Sequence, residues 1–233
     1  MSRTKPTSPP AAAAPPPSAS GAPAPATAAT AATTRADANR RRILDVAFTE
    51  LTRDPDASMD QIARAAGVVR RTVYGHFPSR EALVGAILDE AVAAVTAAHS
   101  AAYASTEDPP RAVAAAMLGV WHVTDRYRLL LSLAQRAVAM EGIRERLAPV
   151  HARGIEMLQR GLDEGKFTSA LPAPALVYVL ENIMFGLMEA VNEGVLEPEE
   201  GGRSAAITFL CAAGMPPPEA TALVAEVVAA RNA

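Results

Sequence analysis

Residues 58–83 read SMDQIARAAGVVRRTVYGHFPSREAL, and their periodicity decides the fold. Ser58 suits a helix N-cap, and Gln61, three residues on, can reach back to the cap amide to complete a capping box. Met59, Ile62, Ala63 and Ala66 follow at helical spacing and form one apolar face. Gly67 stops this helix, because a residue without Cβ takes the left-handed conformation at no steric cost. A second short helix is predicted from near Val69, with Val69, Val73 and Phe77 inward. Arg70, Arg71, Thr72 and Tyr74 then point elsewhere. Pro78 ends it, and Ser79 with Glu81 opens the next.

Helix, glycine turn, helix is the helix-turn-helix plan, whose second helix fits the DNA major groove. The charges agree. Between Gln61 and Arg80 stand Arg64, Arg70, Arg71 and Arg80 and no Asp or Glu, in a chain of net charge −3. Such a local cationic patch on a mildly acidic protein is an electrostatic footprint for phosphate. Arg70 and Arg71 carry planar forks able to bond a guanine edge bidentately. Thr72, Tyr74, His76 and Arg80 suit phosphate oxygens, which fix register without reading sequence. For Tyr74 a half-buried ring is the other reading, compatible with a hydroxyl on phosphate, and Arg64 is equally well read as solvated.

The run from Arg41 to Leu88 resembles the amino-terminal domain of the TetR family of transcriptional regulators. The resemblance rests on ILDVAFTEL (43–51), on S-x-x-x-I-A-x-x-A-G-V (58–68) and on T-V-Y-G-H-F-x-S-R-E-A-L (72–83). The last pattern, at this distance from the second, is far more specific than a bare helix-turn-helix. Two departures stand out. Val69 occupies the position where the family usually has a capping Ser, and Arg71 a position usually held by Gly or Pro. Capping of the second helix is thus unexplained, and no base preference carries over. The resemblance implies contacts with DNA phosphate or the adjacent minor groove for Arg40, Arg41 and Arg42, which sit at the wrong end of their helix for its dipole. With them, Ser58, Val69, Arg70, Arg71, Thr72, Tyr74, His76 and Arg80 complete the candidate DNA-binding set.

Residues 1–38 hold eight of the chain's nineteen prolines and no Leu, Ile, Val or Phe. Such a tract buries too little apolar surface to offset its ordering entropy, so a disordered tail is expected, either a DNA-searching arm or an inert extension. It has no hydrophobic stretch of the signal-peptide kind. Ile43, Leu44, Ala47, Phe48 and Leu51 mark a first helix over 39–53. Residues 39–85 are therefore read as a DNA-binding domain and 86–233 as a helical ligand-binding and dimerisation domain. A long helix over 79–102 joins the two. Further helices are expected at 111–126, 127–139, 143–164, 173–193, 203–213 and 217–231, an all-α chain whose 4% aromatic content suits close helix packing. No window of 18 apolar residues is free of charge, which argues against a membrane span.

Leu176 to Val191 is apolar around nearly its whole circumference, so it needs cover on more than one side. Paired with Ala205, Ile207, Phe209 and Leu210, or with Leu223, Val224, Val227 and Val228, it suits a four-helix contact across a two-fold axis. The resemblance likewise implies a homodimer. A two-fold protein presents two reading heads to a near-palindromic operator in double-stranded DNA. The middle helices carry Met117, Trp121, Gln135, Tyr178, Asn182 and Phe185, soft apolar groups with a few hydrogen-bonding ones, as in small-molecule sites. Taken singly, most also suit an ordinary core. Trp121, Gln135 and Asn182 are favoured because a buried indole or amide needs a polar partner.

His76, His99, His122 and His151 share no metal-ligand spacing, Cys211 is alone, and neither a P-loop nor G-x-G-x-x-G occurs. No cofactor and no enzymatic chemistry are expected. One thiol fits a reducing cytoplasm. The reading is a homodimeric repressor released from its operator by a small-molecule effector; the alternative is a helix-turn-helix regulator controlled by a protein partner.

Overall fold

In the computed structural model, described for residues 25–137 and 140–231, every element is an α-helix. Side chains are described outside 25–34 and 129–141. The elements are α1 (Pro25–Arg53), α2 (Met59–Ala65), α3 (Arg70–His76), α4 (Arg80–Ser105), α5 (Pro109–Ala137), α6 (Met140–Asp163), α7 (Ala173–Asn192), α8 (Pro198–Ala212) and α9 (Pro217–Arg231).

Residues 1–24 of the expected tail lie outside the described residues. Residues 25–38, read from sequence as part of that tail, are helical. Pro25 begins α1, and no further proline follows until Pro55. Proline is tolerated in the first helical turn, and the alanines behind it have the highest helix propensity of any residue.

The turn chemistry around α2 is as the sequence predicts. The Gln61 backbone amide donates to Ser58 Oγ at 3.3 Å, and the Ser58 amide donates to Gln61 Oε1 at 2.7 Å. Gly67 sits at φ +63°, in the left-handed region. Val69 is different. It is the N-cap of α3 rather than an inward helical residue, and 69% of it is exposed. Val68, one position earlier, makes the inward contact instead. Val69 has the extended backbone of a cap (φ −74°, ψ 149°), yet its side chain offers no oxygen to the free amides of the first turn. Val69→Ser is therefore expected to raise stability by about 1 kcal/mol, within a range of roughly 0.5–2 kcal/mol, in chemical denaturation with an unchanged m-value. An unchanged midpoint would mean that the α3 amides gain nothing from a hydroxyl at that position.

Two apolar clusters form within the compact unit Arg40–Ala233. One gathers Ile43, Leu44, Leu51, Ile62, Val73 and Phe77 with Leu83, Val84 and Ile87 from the start of α4. The other gathers Val95, Ala102 and Tyr103 from the rest of α4 with residues of α5 to α9, among them Val113, Leu158, Leu176, Leu180, Leu210 and Val224. A single helix of 26 residues thus supplies both cores.

Helix α5 is continuous where the sequence suggests two helices meeting at 126–127. No glycine or proline interrupts that point, and Arg128 Nε pairs with Asp125 Oδ1 across it at 3.0 Å. Gly142, which falls between the expected helices 127–139 and 143–164, lies inside α6. Helix α8 begins ahead of the expected 203, at Pro198, where the missing N–H costs nothing. By length and composition α4 and α7 could each cross a membrane, but both turn buried side chains toward these cores.

Candidate functional site

Helices α2 and α3 are joined through Gly67, and α3 packs on the head through Val73 while its next residues face out. Arg70, Arg71 and Tyr74 lie on the outward side, and Thr72 and His76 are half-buried. Arg70 is engaged within the protein. Its Nη1 pairs with Asp60 Oδ2 at 2.7 Å, and its guanidinium lies 5.0 Å from the centroid of the Tyr74 ring. Asp60 stands just outside the acid-free window of the sequence, which is why the pair is not foreseen from it. Arg71 is exposed and has no ion pair among the described residues. Of the two forks expected at base edges, Arg71 is thus the uncommitted one.

The other predicted contacts divide in the same way. The Ser58 hydroxyl is occupied by the capping box. Arg80 Nη2 donates to the Pro55 carbonyl, tying the start of α4 to the turn between α1 and α2. Arg40 lies over the Phe77 ring at 5.2 Å, and Arg41 and Arg42 are exposed on the same helix. His76 is tilted against Phe77, with ring centroids 6.3 Å apart.

In the carboxy-terminal bundle a cavity of about 130 Å³ opens between α4, α5, α6 and α7. Met117 and Phe185 line it, as the sequence suggests. Three of the other candidates do not. Trp121 is buried against the start of α8, where Gly201 and Gly202 leave room for its indole, so it is a packing element. Tyr178 is 56% exposed, its ring facing the Arg144 guanidinium at 4.8 Å. Asn182 is exposed and spends its amide on the Tyr178 carbonyl at 2.7 Å. These two lie on the outer side of α7, a face that the apolar residues all round the helix hide in the sequence. The Gln135 side chain lies outside the described residues.

The polar wall of the cavity comes from His99, Tyr103, Thr124 and Glu181. His99 and Tyr103, one turn apart on α4, are both buried and meet edge-on with centroids 4.3 Å apart. Burial, helped by the nearby charges of Arg153 and His151, lowers the His99 pKa to about 4, so the imidazole is neutral at physiological pH. Burial pushes the Tyr103 hydroxyl up, so it stays protonated. Thr124 donates to the Val120 carbonyl at 2.9 Å and is satisfied within its own helix. Glu181 of α7 also lines the cavity, with 7% of its side chain exposed. The helical i, i+4 step from Val95 to His99 to Tyr103 is the signal that could have found the α4 wall.

Tyr127 links the two regions. It lines the cavity, and its ring meets Phe48 of α1 edge-on at 5.2 Å, packed against the head's core.

Comparison with known proteins bears on the head first. The family model described as bacterial regulatory proteins, tetR family, matches residues 43–87. That stretch is a TetR-type amino-terminal domain. A curated relative, the uncharacterized HTH-type transcriptional regulator TtgW of Pseudomonas putida, is 44% identical over 55 residues, 23% of this chain. The match spans about two fifths of that relative's length, 41%. Solved structures extend the likeness to the whole fold. RolR in complex with resorcinol aligns at a TM-score of 0.56 and 18% identity, over 82% of this chain and 95% of its own. LfrR from Mycobacterium smegmatis in complex with proflavine, a TetR-like regulator, aligns at 0.58 and 22% identity, over 75% and 96%. The shared fold is thus an amino-terminal helix-turn-helix head on a helical bundle.

Proposed function

We propose that this chain is a homodimeric, cytoplasmic transcriptional repressor, released from a near-palindromic operator when a small molecule enters the α4–α7 cavity. On this reading residues 39–85 recognise DNA and residues 86–233 bind ligand and dimerise. The observation that carries the proposal is α4. Its Leu83, Val84 and Ile87 are part of the head's core, and its Val95, His99 and Tyr103 form a wall of the cavity. An occupant that shifts this wall moves a rigid rod seated in the DNA-reading head, and Tyr127 against Phe48 supplies a second path. Release then follows from the ligand's higher affinity for the conformation in which two heads no longer match successive grooves.

The outer side of α7 supports the dimer. Tyr178 and Val179 are exposed on a helix whose other face is buried in its own bundle. Phe209, Leu210 and Val224 belong to that bundle's core, so the contact falls to α7 and to half-buried residues such as Ile207 and Val228 rather than to them. RolR and LfrR, of like fold, were crystallised with resorcinol and proflavine, which supports a small-molecule occupant for the bundle.

Binding of the purified protein to the DNA upstream of its own gene, measured over a salt series with nuclease footprinting, tests the reading. Tight binding that survives competitor DNA and protects a two-fold site is expected, with affinity falling as salt rises. Weak binding that vanishes uniformly with salt, or a monomer in sedimentation at the same concentrations, would sink the dimeric repressor.

A further inference from the structure

The cavity that the proposed function assigns to an effector carries one unanswered polar atom. Glu181 Oε2 accepts from Arg144 Nε at 3.2 Å, but Oε1 is buried and has no hydrogen-bond partner among the described residues. His151 Nε2 stands 3.8 Å from it, beyond hydrogen-bond reach. A buried acceptor left unpaired is costly, and a carboxylate oxygen more so than most. Of the rest of the wall, Leu88, Val92, Val95, Leu180 and Met184 are hydrocarbon or thioether, Thr124 bonds within its helix, and the His99 and Tyr103 rings meet each other edge-on.

We propose that the effector is a neutral, single-ring molecule carrying a hydroxyl, which donates its hydrogen bond to Glu181 Oε1. This rests on the reading of the cavity as the effector site. Size sets the ring count. An apolar cavity of about 150 Å³ accepts benzene, and this one measures about 130 Å³. Charge sets the rest. Glu181 is already balanced by Arg144, His99 is neutral, and the guanidinium of Arg153 acts on the same wall. A cationic ligand therefore finds no net negative charge to meet. An anion would face the carboxylate. A neutral O–H donor satisfies Oε1 and adds no charge to a buried site.

Calorimetric titration of the full chain with phenol, toluene, benzylammonium and 2-naphthol tests this, with wild type and Glu181→Gln side by side. Phenol is expected to bind at least tenfold more tightly than toluene, its isostere without the hydroxyl. Glu181→Gln keeps the shape but loses the charge on the acceptor, and should reduce that ratio severalfold while leaving toluene affinity nearly unchanged. Benzylammonium and 2-naphthol should bind more weakly than phenol, the first for its charge and the second for its second ring. Equal affinity for phenol and toluene, a ratio untouched by Glu181→Gln, tighter binding of benzylammonium, or no binding of any probe would each overturn the assignment. Operator binding measured on the same samples separates the two proposals. Intact operator binding with no phenol site defeats only the effector class, whereas phenol binding that leaves operator affinity unchanged defeats only ligand-driven release.

Discussion

Arg71→Ala is expected to weaken binding to the specific operator by roughly 5- to 150-fold, the loss of one bidentate base contact worth about 1–3 kcal/mol. Binding to unrelated DNA should change far less. The reason for choosing Arg71 over its neighbour is structural. Arg70 is held by Asp60 and the Tyr74 ring, so reaching a base would first cost it those contacts. Arg71 sits on the same turn of α3, exposed and without an ion pair among the described residues. Arg80→Ala makes the contrast. It should weaken binding to all DNA alike, with a shallower salt dependence, because a phosphate contact contributes no sequence preference. Its bond to the Pro55 carbonyl means that Arg80→Ala also loosens the turn before α2, so stability must be measured beside affinity. Competition assays with operator and scrambled duplexes over a salt series check both variants. Equal loss of preference in the two would overturn this division of roles.

Gly201→Ala is expected to destabilise the protein by about 1–3 kcal/mol, as overpacking of a filled core does, and to lower Tm by roughly 2–12 °C. A Cβ at Gly201 would stand 1.9 Å from Cζ2 of Trp121 and 2.5 Å from its Cε2. The indole is rigid and buried, and Gly202 hems it in from the neighbouring position, where a Cβ would meet its Cδ1 at 3.0 Å. Relief therefore requires α8 to move away from α5. Gly85→Ala is the matched control, in α4 with nothing within 4 Å of the added Cβ. There the same methyl should stabilise by roughly 0.5–1 kcal/mol, since alanine is the better helix former. Adding Trp121→Phe to Gly201→Ala should recover part of the loss by removing the ring atoms that clash. A Gly201→Ala protein that melts with the wild type would show that the indole is free to move.

The head is legible in the sequence because short-range chemistry defines it. Ser58, Gln61, Gly67, Pro78 and Ser79 act on their own neighbours, and the resulting cap, turn and breaks occur where local rules put them. Val69 misleads because a one-residue change of phase moves a side chain from core to solvent. The cavity is far less legible. Its walls come from four helices, and which face of α7 turns inward depends on partners distant in the chain. Trp121, Tyr178 and Asn182 look like ligand contacts by residue type, whereas the carboxylate buried at the site is Glu181. Ion pairs such as Arg144 with Glu181, 37 residues apart in the chain, leave no trace in local pattern.

Tyr127 belongs to the cavity on one side and to the head's core on the other, and α4 feeds side chains to both. Neither half can open alone without stripping the other of packing it relies on. Head and bundle, although built around separate cores, are therefore expected to melt as one cooperative unit, and a molecule bound in the cavity is expected to slow amide exchange in the distant α3.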